Sequence, residues 1–234
     1  PYTTLNNFTH VDGGGETIAN ASVFDDQGDN SIIDWVFVEL RNANSPATVV
    51  ATRAGLLQKD GDVVEVDGVS PLCFTTVQGG EFYVAVRHRN HLGTMTADAI
   101  ALTPQGTTVD FTNTSTELWT NPGDEFLYGG KEQAVVNGEF ALWAGNANID
   151  DKVVFRGQEN DVDAIFNIVV GDAGNILKIQ NFTLRTYTVS DIDLNGEGIF
   201  RGQSNDVDHV FNSVDGHPTN INFGRIQNFV IREQ

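Results

Sequence analysis

Two acidic phrases near the carboxyl end hold the residue types best suited to chemistry. In "DIDLNG", Asp191, Asp193 and Asn195 stand at alternating positions ahead of Gly196; in "NANIDD", Asn146, Asn148 and Asp150 stand the same way ahead of Asp151. Oxygen-bearing side chains at the first, third and fifth places of a tightly curled loop converge on one point. The backbone carbonyl two residues further on completes the arc, and together they form the front half of a calcium loop. Those carbonyls belong to Lys152 and Glu197. The usual loop closes with a bidentate acid at its twelfth place, where this chain has Gly157 and Gly202. Replacement acids follow a few residues on: Asp161 and Asp163, with counterparts Asp206 and Asp208. We read the intervening "FRGQ" as an insertion that bulges the loop before a helix delivers its acid. Asp163 and Asp208 are the preferred ligands, because each follows an Asn by three residues and falls in a first helical turn. The competing reading makes Asn160 and Asn205 helix N-caps and lets Asp163 and Asp208 complete capping boxes, a role that is compatible with ligation. The expected cofactor is calcium, two ions, one per repeat.

These acids sit inside a duplicated phrase. "FRGQENDVDAIFN" (Phe155 to Asn167) returns 45 residues later as "FRGQSNDVDHVFN" (Phe200 to Asn212), differing at Glu159/Ser204, Ala164/His209 and Ile165/Val210. Each unit reads as loop, short strand, loop, helix and a closing "IQNF" segment, so residues 145–234 divide into repeats 145–189 and 190–234. Helices are expected near Asn160 to Val170 and Asn205 to Val214, with Ile165, Phe166, Val210 and Phe211 buried against each other.

Upstream, residues 1–18 read as an extended arm with apolar Tyr2, Leu5, Phe8 and Val11 ahead of a joint at Gly13–Gly15. Residues 19–113 carry a β pattern of short Val-, Phe- and Thr-rich runs: "SIIDWVFVEL", "ATVVATRAGLL", "GDVVEV", "EFYVAVRHRN", "MTADAIALT" and "TTVDFT". Turn signals such as "KDGD" separate them, which predicts an antiparallel β-sandwich. In "DWVFVEL", Trp35, Phe37 and Glu39 share one face and Val36, Val38 and Leu40 the other, so this strand is expected to be central. Residues 114–144 form a connector anchored by Leu118, Trp119, Phe126, Tyr128, Phe140 and Trp143. Cys73, the single cysteine, is expected to be a buried small hydrophobe on a strand. The fold class is thus mainly β: a sandwich followed by a small α+β double repeat.

Thirteen basic against 32 acidic residues give a net charge of −19, which argues against nucleic acid and anionic membrane surfaces. No run of apolar residues is long enough to span a membrane. The chain opens at Pro1 with neither Met nor leader, as a processed form or a piece of a longer protein would. With one cysteine no intrachain disulfide forms, and metal is the natural staple in its place. "VRHRNH" (Val86 to His91) could present an anion or sugar site if the strand continues, with Arg87, Arg89 and His91 on one side and His88 and Asn90 on the other. The plainer reading pairs the arginines with Asp34 or Glu39. Triplets of the Asn-x-Ser/Thr kind at Asn7, Asn20, Asn113 and Asn181 fit a surface protein.

At these motifs a resemblance emerges. "DWVFVELRNANSPATVVATRAGLLQKDGDVVEVDG", "YVAVRHRNHLGTMTA", "ALWAGNAN" and the doubled "RGQ-x-NDVD" resemble the C-terminal region of large secreted or surface proteins of Bacteroidota-type bacteria. In those proteins a β-rich segment precedes two dockerin-like calcium units. The resemblance implies a secreted or cell-surface, calcium-binding, non-catalytic module. Within that pattern Asn146 and Asp151 are departures, where Asp and Gly are usual. No nucleophile elbow, zinc helix, phosphate loop or C-x-x-C pair is present, so no enzyme is expected. The leading expectation is a structural or adhesive protein that assembles with its own copies, through the arm or a sheet edge, into a filament. One alternative is a docking module whose repeats plug into a receptor domain. Another is a carbohydrate-binding sandwich using Trp35, Trp119 or Trp143.

Overall fold

The computed structural model describes residues 2–18, 20–120, 131–218, 220 and 225–227. Phe126 and Tyr128 of the connector lie outside the described residues, as do Asn228 and Phe229 of the second "IQNF".

Six strands form one antiparallel sheet: β1 (Ile32–Asn42), β2 (Ser45–Gln58), β3 (Val63–Val64), β4 (Gly80–Arg87), β5 (Thr94–Met95) and β6 (Ile100–Leu102). The order is β3-β2-β1-β4-β5, with β6 also on β4, so β1 is central. Its alternation separates two faces, as the side-chain period of a strand requires. Val36, Val38 and Leu40 pack with Ala51 and Val84, under Leu72, Phe74, Val77, Val109 and Phe111. That cover is irregular chain. Where a sandwich would place a second large sheet, the described residues show none. "TTVDFT" does not extend because Asp110 Oδ1 accepts from Thr112 N (2.8 Å) and from its hydroxyl (2.7 Å), bending the backbone into a turn. Cys73 lies in the same irregular stretch and is exposed, contrary to expectation.

The opposite face is covered by the amino-terminal arm. Tyr2 and Phe8 are buried against Phe37 and Ala54, with ring centroids 5.4 and 5.3 Å from Phe37. The Tyr2 hydroxyl donates to the Trp35 carbonyl (2.9 Å). Beyond them Thr52 N donates to Val11 O (2.8 Å), closing the edge of β2 that β3 is too short to reach. Gly13 follows because a Cβ there would meet Thr52 O at 2.0 Å. In this chain, therefore, the arm caps its own sheet. Deeper along the same face, buried Glu39 bridges Arg41 (2.5 Å) and Arg87 (2.9 Å).

A hairpin of β7 (Ala134–Val136) and β8 (Glu139–Ala141) leads into the repeats. These contain β9 (Lys152–Val154), α1 (Asp161–Gly171), β10 (Thr183–Leu184), β11 (Gly198–Ile199), α2 (Val207–Gly216) and β12 (Arg225–Gln227). Strands pair crosswise: β10, from the first unit, with β11 of the second, and β12 with β9. Ile165 and Val210 are fully buried in a common core with Val153, Val169, Ile192, Val214 and Ile226. Phe166 and Phe211 are only half-buried. Instead of meeting each other, they exchange partners: Phe155 contacts Phe211 (5.1 Å) and Phe200 contacts Phe166 (5.0 Å). The duplicated phenylalanine of "FRGQ" thus packs on the duplicated helix of the other unit.

A double-mutant cycle tests this exchange. Phe155→Leu with Phe211→Leu should show a coupling of about 1 kcal/mol in urea unfolding, whereas Phe155→Leu with Phe166→Leu should be additive.

Candidate metal centre

Both acidic loops are built by the same local chemistry. In the second, Asp191 Oδ1 and Asp193 Oδ1 both accept from Asn195 N (3.0 and 3.2 Å). Asp191 Oδ2 accepts from Gly196 N (3.2 Å), and Asn195 Oδ1 from Glu197 N (2.8 Å). In the first, Asn146 Oδ1 and Asn148 Oδ1 accept from Asp150 N (3.1 Å each), and Asp150 Oδ1 from Lys152 N (3.0 Å). Short side chains that bond the backbone two to five residues on curl a chain tightly. Each loop uses left-handed residues at matching places: Ile149 and Leu194, then Asp151 (φ 66°) and Gly196 (φ 86°). Asp151 therefore takes the conformation for which Gly is the usual residue.

The acid that closes each loop differs from the preferred one. Asp163 and Asp208 are exposed and complete capping boxes. Asn160 Oδ1 accepts from Asp163 N (2.8 Å) while its amide donates to Asp163 Oδ2 (2.8 Å); Asn205 and Asp208 do the same at 3.1 and 2.9 Å. With Asn at the cap, the next residue faces back into the loop. That residue is Asp161 or Asp206, both fully buried. Asp161 accepts from Asn148 N (3.3 Å) and Val154 N (2.7 Å), and Asp206 from Ile192 N (2.5 Å) and Ile199 N (2.6 Å).

Asp191, Asp193 and Asp206 each offer a carboxylate oxygen within 4.8 Å of the others, a group able to hold a metal ion. Three carboxylates make a hard, anionic donor set that suits Ca2+ or Mg2+ better than a thiophilic metal. The first loop is poorer. Amides stand at Asn146 and Asn148, and the Lys152 ammonium lies 3.7 Å from Asp150 Oδ2 and 3.6 Å from Glu159. The Glu197 side chain is engaged elsewhere, 2.6 Å from Arg185. For both Lys152 and Glu197 it is the carbonyl that the loop reading invokes.

Three neighbours of the site escaped the sequence reading. Arg87 and Arg89 do pair with Glu39 and Asp34 (2.9 and 2.8 Å). Arg89 also reaches Asp191 Oδ2 (3.4 Å) and donates to the Asp191 and Thr188 carbonyls. Asn90, fully buried, ties both loops to the sheet. Its carbonyl accepts from Gly145 N and Asn146 N (3.0 and 2.9 Å), and its amide donates to Val189 O and Asp191 O (3.0 and 2.6 Å). His209 Nε2 lies 3.5 Å from Asp193 Oδ2. No local signal marks Asn90, or Arg89 as a neighbour of the acidic loop, because their partners there lie between 55 and 102 residues away. Because β4 ends at Arg87, strand alternation stops there, and His88 and His91 pack ring to ring (4.7 Å) rather than on opposite faces.

Burial dominates the acid–base behaviour of the loops. It pushes Asp161 and Asp206 up to about 7, against the lowering effect of the backbone N–H donors. Burial also raises Asp191, partly offset by Arg89. Asp34 goes the other way: burial is outweighed by its close neighbours, His88 Nε2 at 3.3 Å and the Arg89 guanidinium at 2.8 Å, which hold it well below the usual carboxylate range.

No family model matches the chain, and no curated protein or solved structure matches it.

A raised carboxyl pKa means the folded state keeps a proton that the unfolded chain releases near pH ~4. With chelator present, the contribution of Asp161 and Asp206 is therefore full below ~4 and lost as pH rises to about 7. The chelated protein should lose melting temperature between pH 5 and 7.5 in calorimetry, and Asp161→Asn should flatten that slope.

Proposed function

We propose that this chain is a non-enzymatic extracellular structural or adhesive module, calcium-stabilised through its double repeat and assembled with its own copies at a cell surface or in a filament. The observation that carries the reading is the convergence of Asp191, Asp193 and Asp206 in a loop of first-third-fifth spacing. Burying carboxylates without a counter-charge costs free energy, and a divalent cation offsets that cost while fixing the loop. The second loop is the stronger site; the first, with its amides and Lys152, is the weaker. The high acidity suits a calcium-rich medium, and the sequence resemblance points to the same setting.

Assembly is assigned to the arm. Its main contacts, Tyr2 and Phe8 on Phe37 and Val11 on the β2 edge, lie on one sheet, with Asn7 adding a bond to Ile149 O (2.8 Å), so an arm from a neighbouring copy can make the same set. A second reading, in which the repeats dock into a receptor domain, is favoured by one feature. Ile176 and Leu177 are 83% and 82% exposed on the loop after α1, a loop held rigid by buried Asn175 bonded to Val169 O, Ile179 O and Ile179 N.

Saturating calcium should raise stability by about 2–4 kcal/mol, seen as a melting temperature higher by roughly 5–10 °C than with EDTA. Asp193→Asn, at a half-buried position, should remove most of that increment while the EDTA-treated variant melts as wild type does. Equal melting with and without calcium would sink the cation reading. Deleting residues 1–13 should abolish filaments seen by electron microscopy; filaments unchanged in a folded deletion variant would remove the arm from assembly.

A further inference from the structure

We infer that the cleft between the start of β1 and the second repeat is a binding site for a neutral saccharide. The cleft measures about 350 Å3, at the small end of ligand pockets, and its walls include Phe24, Ile33, Trp35, Arg185, Thr186 and Tyr187. Its aromatic content is the first argument. Among the described residues the two exposed aromatic side chains are Phe24 (49%) and Tyr187 (51%), and both line this cleft beside half-buried Trp35. They come from three separate segments: the 3-10 turn Ala21–Phe24, β1, and the stretch between β10 and β11. Exposed Ile33 joins them in the same wall.

The second argument is that Tyr187 is fixed before any ligand arrives. The Tyr187 hydroxyl donates to Asp34 Oδ1 (2.7 Å), and the Arg89 guanidinium lies over its ring at 4.5 Å. A ring held by both a hydrogen bond and a cation loses little freedom on binding. The third argument concerns charge. Asp34 is paired with Arg89, and Arg185 with Glu197, while Asp191 belongs to the acidic cluster of the second loop, so the wall beside the aromatic side chains holds its charges in internal pairs. A sugar ring fits this combination: its C–H face stacks on an aromatic side chain, while its hydroxyls reach the exposed Arg185 and Thr186 at the rim. The inference goes beyond the structural reading above and does not rest on it.

The test is calorimetric titration of the full chain with laminarihexaose, cellohexaose, chitohexaose and xylohexaose, each with calcium and with EDTA. At least one should bind saturably. Phe24→Ala and Tyr187→Ala should each weaken it by about tenfold, as the loss of one stacking face does, while Val69→Ala, exposed but outside the cleft, should change nothing. Trp35→Phe should remove the sugar-induced change in tryptophan fluorescence, since the other two tryptophans lie outside the cleft, Trp119 against Tyr83 and Trp143 buried in the repeat core. Circular dichroism confirms that each variant is folded. Absence of saturable binding by all four sugars would overturn the inference. So would an affinity indifferent to Phe24 and Tyr187, or binding of a capped aromatic dipeptide with no sugar binding. Sugar binding retained alongside melting insensitive to EDTA would sink the calcium reading alone.

Discussion

The architecture of the carboxyl-terminal half depends on one interaction made twice: a buried aspartate that accepts a backbone N–H from each end of an acidic loop. Asp161 joins Asn148 to Val154, and Asp206 joins Ile192 to Ile199. Each carboxylate fixes where a loop begins, where its strand starts and where the following helix must begin. Once these are set, Phe155 and Phe200 are aimed at the opposite helix and the short strands can pair across the units. Each of the two carboxyl oxygens takes a different backbone N–H, which is how a single side chain ties the start of a loop to the strand beyond it.

The same geometry joins the repeats to the sheet. Asn90 and Arg89 leave the end of β4 and enter both loops, bonding backbone groups of Gly145, Asn146, Val189 and Asp191. The first carboxylate of the second loop thus belongs to two systems, the acidic cluster and the buried Asp34–Arg89 pair. A change in charge at Asp191 is felt at Asp34 through one guanidinium. Removing either partner would leave an uncompensated buried ion, a far larger cost than losing a surface pair.

Much of this was legible in the sequence, because its strongest signals are local. The alternation in β1, the two helices and the first-third-fifth loop pattern are all written within a few residues. Of the two candidate closing acids the preferred one, Asp163, is exposed and the other, Asp161, is buried; both are plausible in a first helical turn. Only the position of the cap, Asn160, decides which one faces inward. The missing second sheet has a similar origin: "TTVDFT" carries β-forming residues, but Asp110 diverts its backbone. Cys73 is small and sits beside apolar neighbours, yet it lies where the chain has already left the sheet. The Arg89–Asp34 pair was within reach, but the bonds of Arg89 and Asn90 to the acidic loops were not, since those partners are distant in sequence and no period connects them.

The reciprocal placing of Phe155 on Phe211 and Phe200 on Phe166 has a combinatorial consequence. In solenoids each module offers its neighbour a fresh face, so arrays lengthen without limit. Here each module's aromatic face is occupied by its twin, and the pair is saturated. The two units of this chain therefore close on each other as a pair, with neither phenylalanine of the repeated phrase left facing outward for a third.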